Sequence, residues 1–127
     1  DDLPQSKRTP TTFRVMQFMG ASWMWGQQFF DVETAEKMGL PAPIIPGVMK
    51  QAYLDQYLRR WLDGAGRISR LQLSHRRPDL HNAEMTIGGA VTRTYEEDGE
   101  SKADLEIFID NPDGERSVRG AATVVFD

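Results

Sequence analysis

The chain has 127 residues, 39% of them hydrophobic, with no cysteine and a formal net charge of −4. That length supports one domain with a single core, and no apolar run is long enough for a membrane-spanning helix. The absence of cysteine excludes disulfides, thiolate chemistry and the commonest zinc sites. The acidic balance argues against nucleic acid, which needs a basic stripe, whereas the adjacent arginines here are two isolated pairs, Arg59-Arg60 and Arg76-Arg77. Either pair would suit one phosphorylated small ligand. No charged-then-apolar leader is evident, so the expected location is cytoplasmic.

Residues 1–10 are polar, carry two prolines and are expected to form a loose arm. Residues 11–19, TTFRVMQFM, mix β-branched and aromatic side chains and are expected to form a first strand ended by Gly20. The aromatic stretch 21–30, ASWMWGQQFF, shows no period and reads either as a loop tucked on the core or as a pocket wall. Asp31 is placed as the N-cap of a short helix over 32–38, with Glu33 in its first turn and Gly39 as its stop. Residues 40–46 are punctuated by proline and extended.

The stretch 43–62, PIIPGVMKQAYLDQYLRRWL, organises the rest. Its apolar residues fall at helical spacing but spread around most of the cylinder, so a long buried helix is expected after Pro46-Gly47, with Gly64 as a left-handed cap. From residue 67 the pattern becomes alternating. Strands are expected over 67–77, 84–96, 103–110 and 117–126, with a break at 78–82, a bulge or bend at Gly88-Gly89, and turns at Asp98-Gly99 and 111–114. An α+β fold follows, in which a curved antiparallel sheet wraps one long helix.

This order, with FFDVETAEKMGLPAPIIPGVMKQAYL, resembles the hot-dog fold of the MaoC-like (R)-specific enoyl-CoA hydratase and dehydratase family. Asp31, Ala35, Gly39, Pro43, Ile44 and Gly47 sit where that family's pattern expects like residues. The resemblance runs from about residue 21 to the end of the chain and includes Arg76-Arg77-Pro78 and the 111–114 turn. The family's catalytic segment is D-x-N-x-x-H-x-D, in which Asp and His activate a water. Anchored on Asp31, the dyad positions fall on Met24 and Phe29 and the Asn position on Gly26. Neither methionine nor phenylalanine transfers a proton at neutral pH.

What the resemblance implies for binding is carried by other residues. Gly47, preceded by Pro46 where the family has histidine, corresponds to the glycine whose amide stabilises the thioester oxyanion, although a helix entry needing a small residue is an equal reading. Trp23, Trp25, Phe29 and Phe30 are candidates for an acyl pocket, against a default role in the core or an interface. Arg76 and Arg77 are candidates for coenzyme A phosphates. Asp31 reads first as a cap and second as a hydrolytic carboxylate. His75 and His81 read first as structural or surface histidines and second as an acid–base or metal pair. The implied ligand is a coenzyme A thioester, with no other cofactor and no metal. A dimer with a continuous sheet is expected, either of one chain or with a dyad-bearing homologue.

Three functions remain open at this point. One is a hydratase-type subunit without its own dyad, supporting hydration of an enoyl-CoA beside a catalytic partner. Another is a self-sufficient hydratase or thioesterase using Asp31 or a histidine. The last is a non-enzymatic assembly module.

Overall fold

The computed structural model describes residues 1–127. Elements follow in the order β1 (Ser6–Arg8), α1 (Thr12–Ser22), a 3₁₀ turn (Gln27–Phe29), α2 (Val32–Lys37), α3 (Gly47–Leu62), β2 (Gly66–His75), β3 (Met85–Glu97), β4 (Glu100–Asp110) and β5 (Arg116–Phe126). All strand pairs are antiparallel, in the order β1-β3-β4-β5-β2. Period-two burial along β4 turns Ala103, Leu105, Ile107 and Ile109 inward. Opposite them α3 contributes Met49, Leu54, Tyr57, Leu58 and Leu62 to a core of 18 buried residues. This is the hot-dog arrangement of a curved sheet around one long helix. No helix is long and apolar enough to cross a membrane.

Helix α3 starts at Gly47, but it is not enclosed on all sides. Val48 is 48% exposed, and Gln51, Ala52, Gln56, Arg59 and Arg60 are exposed with it. Its apolar residues therefore divide into a core face and an open face. The left-handed turn that ends it begins at Asp63 (φ 46), one residue before Gly64 (φ 81).

Two expectations at the start of the chain are corrected. Residues 11–19 are helical, belonging to α1 and its cap. The Thr11 hydroxyl caps α1 by accepting from the Arg14 N–H at 3.2 Å. Val15 and Met19, four residues apart, are its fully buried side chains, while Phe13 is 69% exposed. An N-cap and an i, i+4 apolar pair outweighed a strand-like composition. The first residues are not a loose arm either. Leu3 is buried, its N–H donates to Gly89 O at 2.9 Å, and Ser6–Arg8 pairs with β3. The otherwise open edge of β3 recruits this segment.

Gly88-Gly89 carries no bulge, since the register shift in β3 lies between Val91 and Arg93. Gly88 is needed for space, because a Cβ there would come 2.6 Å from the Phe108 ring. The division of α3 into two faces predicts contrasting substitutions. Leu58→Ala should lower unfolding free energy by about 2–5 kcal/mol in urea titrations, whereas Val48→Ala should change it by no more than ~0.5 kcal/mol.

Candidate functional site

An open cleft of about 350 Å³ lies at the start of α3, lined among others by Phe29, Gly47, Lys50, His75, Arg76 and Arg77. Four chain segments build it through backbone hydrogen bonds. Ile44 N–H donates to Gln28 O at 3.1 Å, Ile45 N–H to Asp79 O at 2.8 Å and His81 N–H to Pro43 O at 3.0 Å. Arg76 and Arg77 N–H both donate to Ser117 O. The 3₁₀ turn, the 43–46 entry, the end of β2 and the 78–82 corner are thus tied around one helix N-terminus.

Gly47 is the first residue of α3, and its N–H makes no hydrogen bond within the chain. Such an amide, at the positive end of a 16-residue helix, is suited to an anionic oxygen. His75 crosses over the same residue, its Nε2 lying 3.2 Å from Gly47 O. A Cβ at position 47 would lie 3.2 Å from that nitrogen, so a larger side chain crowds the approach.

Beneath the cleft is an ion pair that reading the sequence missed. Lys50 and Asp79 are 3% and 2% exposed, with Nζ 2.9 Å from Asp79 Oδ2. Lys50 Nζ also donates to Arg77 O at 2.9 Å. Asp79 Oδ2 has no aligned hydrogen-bond donor, so its tie to Lys50 is chiefly Coulombic. Lysine at position 50, within an apolar turn of α3, was the signal available in the sequence. A cation there requires a buried carboxylate from elsewhere in the chain.

Phe29 forms part of the cleft wall, while Met24 does not line it. The aromatic cluster is otherwise not gathered at this cleft: Trp23 is 82%, Trp25 50% and Phe30 38% exposed. Trp23 also holds a left-handed backbone (φ 57), uncommon for a bulky residue. At the cleft mouth Arg77 is ion-paired to Glu115 at 3.2 Å, whereas Arg76 has no acidic partner.

Asp31 accepts from Thr34 Oγ1 at 2.6 Å and Thr34 N–H at 3.3 Å as the N-cap of α2. The Thr34 hydroxyl, above all, holds its carboxyl below the usual carboxylate range. The two histidines serve different segments. His81, 4% exposed, donates from Nε2 to Phe29 O at 2.6 Å and accepts at Nδ1 from Thr12 Oγ1 at 3.1 Å. Thr12 in turn accepts from Asn82 Nδ2 at 3.2 Å. This chain fixes one neutral tautomer and clamps Phe29 to the 78–82 corner.

No protein-family model and no curated protein matches the sequence. Solved structures do match in shape. An (R)-hydratase of A. caviae involved in PHA biosynthesis superposes with a TM-score of 0.90 at 20% identity, over 100% of this chain and 95% of that one. The ChsH1–ChsH2 complex of Mycobacterium tuberculosis gives 0.87 at 15%, over 100% and 96%. A C-terminally truncated HadBC complex of the same organism, a 3R-hydroxyacyl-ACP dehydratase, gives 0.74 at 17%, over 98% and 92%. At these identities the shared property is the hot-dog fold.

Burial holds the His81 pKa below its ordinary 6.5, outweighing the opposing effect of its bond to Phe29 O. With the folded value depressed, the unfolded chain takes up the proton first. Stability should therefore fall as pH drops below about 6.5 toward the folded-state value. Urea midpoints between pH 7.5 and 5 should show this slope, and His81→Gln should flatten it.

Proposed function

We propose that the chain is an acyl-thioester-binding subunit of the MaoC-like enoyl-CoA hydratase and dehydratase type, which lacks the proton-transferring dyad and works beside a homologous subunit that supplies Asp and His. The observation that carries this reading is the unpaired Gly47 amide facing a cleft whose wall is Phe29. Water addition to an enoyl thioester builds negative charge on the carbonyl oxygen, and a helix-start amide stabilises it without moving. The same reaction needs a base for the water and an acid for the α-carbon. Phe29 supplies neither, and Asp31 is occupied as a cap.

Arg76, exposed and without an acidic partner at the cleft mouth, is the better candidate for a coenzyme A phosphate; Arg77 is partly neutralised by Glu115. The 10-residue strand β2 ends the sheet with an unpaired edge, the surface we assign to the second subunit. Two of the structural neighbours are themselves described as complexes, ChsH1–ChsH2 and HadBC. That assembly is consistent with the pairing proposed for this chain.

One observation favours a second reading. His75 lies against Gly47 and is exposed to the cleft, so a self-sufficient hydratase or thioesterase would use it as the base in preference to Asp31 or His81. Titration with hexanoyl-CoA tests the shared premise. The chain should bind it, and Gly47→Val, which keeps the amide but crowds the approach to it, should weaken binding by about tenfold, as for one lost hydrogen bond of ~1.4 kcal/mol, while circular dichroism stays unchanged. Failure to bind would leave the assembly-module reading instead, and equal binding by the valine variant would remove Gly47 from the thioester site.

A further inference from the structure

A second cavity, of about 240 Å³, opens between β1 and the C-terminal half of α3, lined among others by Arg8, Tyr53, Tyr57, Arg60, Trp61 and Ile87. Its centre near Tyr57 lies ten residues beyond Gly47, about 15 Å along the helix axis. It is therefore separate from the cleft described above.

Its chemistry is uneven in an informative way. The Tyr57 hydroxyl is already engaged, donating to Pro4 O at 2.6 Å. Ile87 is 1% exposed, and Trp61 packs edge-on against Phe126 with ring centroids 6.3 Å apart. The floor is thus a largely apolar, aromatic surface on which the Tyr57 hydroxyl is spent and the Tyr53 hydroxyl is the one left free. The rim is cationic. Arg60 makes no hydrogen bond or ion pair, and the Arg8 guanidinium has one long hydrogen bond, 3.5 Å to Gln56 Oε1, while standing 6.0 Å from the Tyr53 ring. No acidic residue lines the cavity, although the chain as a whole is acidic. The dipole of α3 accounts for a cation in its last turn, as at Arg60, but not for the facing arginine contributed by β1.

We infer that this cavity binds a small anionic amphiphile, with a carboxylate or phosphate head held between Arg8 and Arg60 and a short apolar body laid on Tyr53, Tyr57 and Trp61. Guanidinium forks match both oxyanions, and the aromatic faces suit a ring or short alkyl chain. The volume, below the ~300–1,000 Å³ of drug-sized sites, limits that body to about one ring.

Isothermal titration of the intact chain with 4-phenylbutyrate, phenyl phosphate and the neutral 4-phenylbutanol tests the inference. At least one anion should bind, at least about tenfold more tightly than the alcohol, and the preferred anion identifies the head group. The double variant Arg8→Gln/Arg60→Gln, at two positions outside the buried core, should lose that preference while keeping its melting temperature and its hexanoyl-CoA affinity. Gly47→Val should leave anion binding intact, so failure of the thioester reading and failure of this one are distinguishable. No anion binding at millimolar concentration, equal binding of the alcohol, or an unchanged double variant would overturn the assignment.

Discussion

Helix α3 persists in water only because Met49, Leu54, Tyr57, Leu58 and Leu62 are taken out of it, and the only surface broad enough to do that is the inner face of the sheet. Each fully buried leucine contributes about 1.5–3 kcal/mol on transfer from water. Leu54 and Leu58, both fully buried, lie one turn apart facing that sheet. The strands must curve to follow a cylinder, and the smallest residues appear where they approach something bulky. Gly88 leaves room for Phe108, and a Cβ at Gly120 would strike Leu73 Cδ2 at 2.6 Å. Other features of the chain, including the edge-capping residues before α1, follow from covering what this packing leaves open.

The cleft depends on the same helix through a different force. Lys50 lies three residues after Gly47, and its ammonium is held by Asp79 and by the carbonyl of Arg77. Burying such a pair does not by itself stabilise the fold, because desolvation offsets much of the attraction, but removing one partner strands a buried charge. The pair therefore acts as a pin. It fixes the 77–79 corner against the helix start, and the backbone bond from Ile45 to Asp79 extends the tie into the helix entry. His81 carries the tie one step further, to Phe29. The free amide of Gly47 thus sits among segments tied to one another, with Phe29 lining the same cleft.

Much of this was legible in the residues, and the misses share a cause. Helix α3, the α2 cap at Asp31 and strands β2 to β5 announce themselves by local period, capping residues and turn residues. Helix α1 is masked by Phe13, Val15 and Phe18, which look strand-like by composition, while the deciding signal is Thr11 as a cap with Val15 and Met19 one turn apart. The N-terminal segment carries no local signal of its pairing because its partner strand lies more than 80 residues away, as in the Ser6–Ile87 pairing. The same holds for Tyr57 to Pro4, 53 residues apart, and His81 to Phe29, 52 residues apart. Trp23 and Trp25 neighbour Phe29 in sequence, but after the left-handed residue Trp23 they stand at the surface.

The central claim is that this chain binds an acyl thioester without turning it over. Single-turnover hydration of a medium-chain enoyl-CoA by the purified chain, followed by loss of enoyl absorbance, tests it most directly. The account predicts binding with no hydration above the uncatalysed rate. Hydration by the lone chain, abolished by His75→Gln, would contradict it and place the proton transfer on β2.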